Sequence, residues 1–319
     1  MTLEPVIAIL GPTGTGKTEL ALQVAEMIGA EIISVDSRQA YRGMAVGTAA
    51  PTAVQQARVP HHGVGFLEPG ERYGAGRFGR LARDWMTGIR QRGREPLLVG
   101  GTGFFYRALV RPIFREPELD PGRRRRLERW IEERDPEMLA GWVRALDPEL
   151  SDRLASLDPQ RVQRALEVAL LTGRSLSWWQ RHGSPEADPV AAVPIVLELD
   201  AEEHRRRLRL RAESMLDAGW REEVESLLDA GHARGSIPFR TIGYGTVAEW
   251  LAGDISREDA LACILRDTWA YARRQRTWFR HQVPADAIRL DAAGPPDVLA
   301  GQIVRMERVG GTDSDEGKR

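Results

Sequence analysis

Gly11-Pro12-Thr13-Gly14-Thr15-Gly16-Lys17-Thr18 follows the apolar run Val6–Leu10 and opens residues 19–28, whose apolar side chains recur at helical spacing until Gly29. The octapeptide satisfies G-x-x-x-x-G-K-[ST] between a strand and a helix, the context that gives this pattern its physical meaning. Glycines let backbone N–H groups converge on phosphate oxygens, and the helix offers its positive N-terminal end to the same anion. Lys17 neutralises the terminal phosphate, and the Thr18 hydroxyl suits a magnesium ion. The loop therefore predicts a diphosphate or triphosphate ligand without saying which one.

Working outward, residues 32–35 read as a second buried strand ending at Asp36, and residues 96–99 as a third ending in Gly100-Gly101-Thr102. Strands alternating with helices imply an α/β fold, a P-loop NTPase-like core whose parallel sheet is flanked by helices. From about Arg115 to Pro189 strand-like runs vanish. Helical patterns there are punctuated by Asp-Pro steps at Asp120, Asp135, Asp147 and Asp158. Aspartate suits an N-cap and proline the first helical turn, so this stretch reads as a helical insertion domain. Strand character returns at 193–199. Residues 201–218, 221–230 and 257–281 read as helices, 288–290 as a last strand and 295–306 as a last helix. The expected organisation is a core of residues 1–114 and 190–309, an insertion of 115–189 and a disordered polar tail of 310–319.

The chain has 319 residues, 42% hydrophobic, enough for a large core with a smaller second module. Formal net charge is −1, so overall charge does not point to nucleic acid. One cysteine, Cys263, excludes an internal disulfide framework and a Cys-rich zinc site. No apolar run approaches the ~18 residues of a membrane span. No secretory signal is visible, and a soluble cytoplasmic protein is expected. Of the 45 basic residues only Lys17 and Lys318 are lysines. A lone lysine in an arginine-rich body fits a tight loop around phosphate, where a slim point charge goes and a broad planar fork does not.

Asp36, at a strand's carboxyl end beside the phosphate loop, faces the usual ligand crevice of an open α/β sheet. Its residue type suits a magnesium ligand, a general base or a turn-capping aspartate. His61 and His62 are adjacent and lack acidic or cysteine partners at metal spacing, which favours a structural pair. Arginines cluster at Arg123, Arg124, Arg125 and Arg126, at Arg161 and Arg164, and at Arg205, Arg206, Arg207, Arg209 and Arg211. Arg273, Arg276 and Arg280 share one helical face, with Trp269, Trp278 and Phe279 on the same segment. Arginine interleaved with aromatics suits a nucleic-acid backbone and unstacked bases, but also an ordinary solvated face over a core.

Taken in order, these segments resemble the tRNA dimethylallyltransferases (tRNA isopentenyltransferases). The resemblance rests on the phosphate loop, Ile33-Ser34-Val35-Asp36-Ser37, Tyr41-Arg42-Gly43-Met44 with Gly47-Thr48-Ala49, and Pro60-His61-His62. It continues through Leu98-Val99-Gly100-Gly101-Thr102-Gly103, Asp158-Pro159-Gln160-Arg161 with Arg164-Ala165-Leu166-Glu167, and Met215-Leu216 to Gly219. Glu223-Val224, Ile242-Gly243-Tyr244 and Arg274-Gln275 to Thr277-Trp278 complete it. It spans roughly residues 5–290.

The resemblance implies transfer of a dimethylallyl group from dimethylallyl diphosphate to the exocyclic amine of the adenosine 3′ of a tRNA anticodon, the adenine leaving its stack to react. It implies that Asp36 is the base, that Thr13, Lys17 and Arg211 stabilise the departing diphosphate, and that Thr18 contacts Mg2+. Gly11, Pro12, Thr13, Gly14, Thr15, Gly16, Lys17 and Thr18 would bind diphosphate. Implied tRNA contacts are Asp36, Ser37, Arg38, Gln39, Thr102, Arg124, Gln160, Arg161, Arg164 and the segment 240–245 with Arg240, Gly243 and Tyr244. The insertion would grip the anticodon stem–loop. No zinc finger of the eukaryotic type is present, implying the bacterial form; a monomer is expected.

The sequence departs from the family pattern at Phe105, where tyrosine is usual, at Gly245, where Arg or Lys is usual, and at Arg77, where an acidic residue is common. Two competing readings are a nucleoside or small-molecule kinase using ATP and a non-catalytic RNA-binding ATP switch. The long arginine-rich insertion disfavours the first. Asp36, and the lack of a second acidic strand end, disfavour the second.

Overall fold

The structure is a computed structural model and describes residues 5–115, 119–153 and 158–312. The chain divides into two compact units, 1–110 with 190–319, and 111–189. The insertion thus begins four residues before the boundary expected from the Arg115 change in pattern.

In the first unit the chain runs β1 (Val6–Leu10), α1 (Lys17–Ile28), β2 (Ala30–Val35), α2 (Ala53–Arg58), β3 (His61–His62), α3 (Ala75–Gln91), β4 (Glu95–Gly100) and α4 (Gly103–Val110). The insertion holds α5 (Pro121–Glu132), α6 (Pro136–Leu146), α7 (Pro148–Arg153), α8 (Pro159–Thr172) and α9 (Leu176–His182). The first unit resumes with β5 (Ala192–Glu198), α10 (Ala201–Asp217), α11 (Trp220–Asp229), α12 (Tyr244–Ala252), α13 (Arg257–Gln282), β6 (Ile288–Asp291) and α14 (Pro296–Thr312).

Among the described residues the six strands form one sheet in the order β3-β2-β4-β1-β5-β6, every pair parallel. A parallel sheet needs crossover helices on its faces, and its inner strands are buried on both sides. β1 and β2 are accordingly buried at every position. Leu20, Val24 and Ala25 of α1 and Ala300, Ile303 and Val304 of α14 pack on Ile7, Ile9 and Ile195. On the other side α3 and α4 pack against β2 and β4. A second cluster joins Tyr41 and Met44 to Leu216, Trp220, Tyr244 and Ile264. Because the strands are parallel, the carboxyl ends of β1, β2 and β4 meet at one edge, which carries the phosphate loop, Asp36 and Gly101.

In the insertion, Asp120, Asp135 and Asp158 accept from the backbone N–H three residues on and a proline follows each, as the Asp-Pro pattern predicts. Asp147 does more: it accepts from Leu150 N and, across the unit, from Ser177 N. Leu139, Val143, Leu150, Val162 and Leu166 form this unit's own core.

One expectation gains detail and another changes. His61 and His62 form an edge strand beside β2, and His62 Nε2 lies 2.7 Å from the Glu31 carboxylate, which Arg92 also engages at 2.6 Å. α14 runs through Thr312 rather than ending at Met306. It docks on α1, and propagation from that docked part carries the helix past Met306 and through the Gly310-Gly311 pair. The remainder of the expected tail, 313–319, lies outside the described residues.

Candidate active site

Gly11 (φ 150°), Gly14 (φ 82°) and Gly16 (φ 86°) take backbone angles that L side chains rarely adopt. At Gly14 a Cβ would also sit 2.5 Å from Leu208 of α10. The loop thus folds tightly against α10. Lys17 Nζ donates to the carbonyls of Gly11 (2.9 Å) and Pro12 (2.7 Å), and the buried Thr15 hydroxyl donates to Pro12 O at 3.0 Å. Thr15 therefore braces the loop from within.

The loop opens into a cavity of ≈ 580 Å³ lined by Thr13, Gly14, Gly16, Lys17 and Thr18, by Asp36, Ser37, Arg38 and Gln39, by Arg207, Arg211 and Arg240, and by Tyr271 and Gln275. Leu208, Met215, Trp220 and Ile264 give it an apolar wall. Burial, reinforced by Arg211, lowers the Lys17 ammonium from 10.5 to about 7, with Asp36 pulling the other way. Burial also lowers Arg211, again opposed by Asp36. Burial raises the Tyr271 phenol to about 12. Two half-buried basic groups beside one carboxylate make a site short of negative charge, which an anion would complete.

Asp36 Oδ1 accepts from Arg38 N (2.7 Å) and Gln39 N (3.3 Å). This turn holds the carboxylate at the strand end, and no described residue is hydrogen-bonded to Oδ2. Thr18 and Asp36 supply hydroxyl and carboxylate oxygens, donors that suit Mg2+. No group of three or more His, Cys, Asp or Glu able to hold a metal occurs among the described residues, so such an ion would take its other ligands from substrate and water.

Other expected site residues take varied places. Thr102 Oγ1 accepts from Ser37 N at 3.1 Å, tying the β4 loop to the Asp36 turn. Gly243 (φ 87°) has no room for a Cβ, which would meet Trp220 at 2.2 Å. Tyr244 is fully buried, its hydroxyl donating to Glu223 at 2.7 Å, so its side chain is core rather than surface. Phe105 stacks on Phe78 in the core, where a phenol would need a partner. Arg77 pairs with Glu71, and a Cβ at Gly245 would lie 3.4 Å from Phe239 O. In the insertion, Arg124 donates to the buried Glu167 at 2.8 Å, and Arg164 lies 3.8 Å from the same carboxylate. Arg161 pairs with Asp158 at the start of α8, where Gln160 is exposed.

Arg276 corrects the reading of the arginine face on α13. It turns inward, donating to Leu199 O (3.0 Å) and contacting His204 (3.2 Å). Sequence reasoning gave no role to His204 or Gln275, both of which touch the phosphate loop. The signal for His204 was present: it is the polar member of an otherwise apolar i, i+4 line with Leu208, Ala212 and Leu216.

A parallel α/β sheet with a glycine-rich phosphate loop, a strand-end carboxylate and an arginine-lined cavity defines an enzyme acting on a phosphate-bearing substrate. The family model for IPP transferase matches residues 39–282, and that for isopentenyl transferase matches 4–59. A tRNA dimethylallyltransferase of Desulfosudis oleivorans is 41% identical over 276 residues, 86% of this chain and 88% of the relative. That of Halorhodospira halophila is 41% identical over 303 residues, 94% and 96% of the two chains. The crystal structure of a tRNA isopentenylpyrophosphate transferase from Bacillus halodurans is similar with TM-score 0.70 and 30% identity, covering 98% of this chain and 100% of that one. A eukaryotic dimethylallyltransferase acting on tRNA matches with TM-score 0.77 and 25% identity, covering 95% and 78%. The chain belongs to the tRNA dimethylallyltransferase (IPP transferase) family. That membership decides against the kinase and the ATP-switch readings.

Proposed function

We propose that this protein transfers a dimethylallyl group from dimethylallyl diphosphate to N6 of the adenosine 3′-adjacent to a tRNA anticodon, releasing diphosphate. The observation that carries the reading is the single cavity onto which both the phosphate loop and Asp36 open. In the reaction the adenine N6 forms a bond to the prenyl carbon as that carbon's bond to the diphosphate oxygen breaks. Asp36 Oδ2 takes the N6 proton, while Oδ1 stays fixed in its turn. Lys17, Arg211 and Thr13 meet the negative charge that builds on the departing diphosphate, where preorganised charge in a water-poor site acts most strongly. Mg2+, when held by Thr18 and substrate, supplies further charge neutralisation to the diphosphate.

Ser37, Arg38, Gln39, Thr102 and Arg240 would orient the flipped nucleotide. The helical unit, through exposed Gln160 and Arg161 at the start of α8, would meet the anticodon stem–loop, where shape and phosphate contacts dominate. Arg124 and Arg164 would act there mainly by holding Glu167. The protein would work as a cytoplasmic monomer; no described helix is long and apolar enough to cross a membrane. The test supplies protein, magnesium, labelled dimethylallyl diphosphate and an unmodified tRNA with adenosine after the anticodon. Label should pass to tRNA with wild type and be nearly lost with Asp36→Ala. Absence of transfer by wild type, with ATP consumed on a nucleoside instead, overturns the reading.

A further inference from the structure

Thr13 is held by its main chain from two directions. Its amide N–H donates to Gln275 Oε1 of α13 at 2.9 Å. Its carbonyl accepts from His204 Nε2 of α10 at 2.7 Å. Neither contact comes from the phosphate loop itself; they span 262 and 191 residues of sequence.

Both gripping side chains are buried and are themselves fixed. Gln275 is 7% exposed and its amide donates to Gly101 O at 2.8 Å, so one side chain bridges the phosphate loop and the β4 loop. A Cβ on Gly101 would fall 2.5 Å from that amide nitrogen, so the close approach depends on glycine there. His204 is 1% exposed, and Arg276 contacts its Nδ1 at 3.2 Å while donating to Leu199 O. A carbonyl only accepts and a guanidinium only donates. The imidazole between them must therefore be neutral, with its proton on Nε2. Burial lowers the His204 pKa, and nearby Arg276, Lys17 and Arg207 lower it further, outweighing the opposite pull of the Thr13 carbonyl, which favours that form. Trp269 packs edge-on against the ring at 5.6 Å and limits its rotation.

We propose that His204 and Gln275 are positioning residues for the transfer: together they clamp the Thr13 main chain and so fix where its hydroxyl points in the cavity. This rests on the transferase reading, in which Thr13 meets the leaving diphosphate. A hydroxyl that must meet developing charge gains its effect from being placed beforehand, and small displacements are costly. The clamp comes from α10, the helix that also carries Arg211, and from α13, so loop and cationic wall are held in one frame.

The test compares His204→Leu with His204→Gln, which keeps an N–H donor of similar reach, in the wild-type and Thr13→Ala backgrounds. Folding is checked by thermal unfolding. Single-turnover transfer to tRNA and calorimetric binding of inorganic diphosphate with magnesium are both read. His204→Leu should slow transfer about tenfold and weaken diphosphate binding several-fold, with His204→Gln close to wild type. In the Thr13→Ala background His204→Leu should add little, because the hydroxyl it positions is gone. An equal loss in both backgrounds, or no loss from His204→Leu in the presence of Thr13, overturns the clamp while leaving the transferase reading intact. Absence of transfer by folded wild type overturns that reading, and the diphosphate arm then decides the clamp by itself.

Discussion

The Lys17 ammonium donates to the carbonyl oxygen of Pro12 at 2.7 Å, so the lysine of the phosphate loop folds onto the loop's own backbone. With the ammonium lowered to about 7, a large fraction of free protein is deprotonated at pH 8. A bound anion raises the pKa again, so binding takes up protons above about pH 7. Calorimetry of diphosphate binding at pH 8.5 in buffers of differing ionisation enthalpy should show net uptake, and affinity should fall as pH rises from 7 to 9. The sign for stability is opposite. The folded pKa lies below the ordinary 10.5, so the unfolded chain binds more protons in this window, and the group's contribution to stability rises with pH across it.

The proposed reaction gives Asp36 two separable duties. Its Oδ1 accepts from Arg38 N and Gln39 N, and asparagine can do the same. Asp36→Asn should therefore keep the turn and a near wild-type melting temperature while losing the base. A drop of about 10² to 10⁴ in single-turnover transfer is expected. Retained activity in Asp36→Asn with lost activity in Asp36→Ala would instead assign the aspartate a purely structural part.

Gly47 lies under Trp220, where a Cβ would meet Nε1 at 2.1 Å and Tyr244 Cζ at 2.6 Å. Its N–H and that of Val46 also donate to Glu223, each at 2.8 Å. Gly47→Ala must push apart two of the largest buried side chains, so a loss of roughly 1–3 kcal/mol is expected from overpacking. Urea unfolding measures it, and transfer should fall too, because Gly47 lines the cavity.

Glu167 is 2% exposed within the helical unit and receives hydrogen bonds from Arg124 (2.8 Å) and Gln163 (2.9 Å). Removing the carboxylate takes one of Arg124's two acidic partners and leaves Glu128 at 3.2 Å. Glu167→Ala should cost about 2 kcal/mol, whereas Glu167→Gln, which keeps an acceptor, should cost less. Denaturant unfolding of the two variants gives the comparison.

The first β–α unit was readable because its signals are local: an apolar run, glycines at left-handed angles and a capped helix. Four helices of the insertion, α5 to α8, announced themselves through their Asp-Pro starts, whereas α9 opens on Ser175-Leu176. The long-range part of the site was not readable in the same way. Nothing near Gln275 in sequence says that its amide reaches Gly101 and Thr13, since those contacts exist only once α13 crosses the sheet edge. Arg276 misled for a related reason. Helical spacing shows which residues share a face, not whether that face meets solvent or the carbonyl of Leu199. Tyr244 and Phe105 likewise gave no sign from sequence that both are buried.

Arginine supplies nearly every positive charge in this chain, and that has a practical chemical consequence. Acylating reagents attack unprotonated amines and leave guanidinium groups alone. At neutral pH an ordinary lysine is almost wholly protonated. Lys17, with its pKa near 7, is about half in the nucleophilic form. A mild amine-directed acylating reagent should therefore mark Lys17 far faster than an ordinary lysine, and bound diphosphate should shield it.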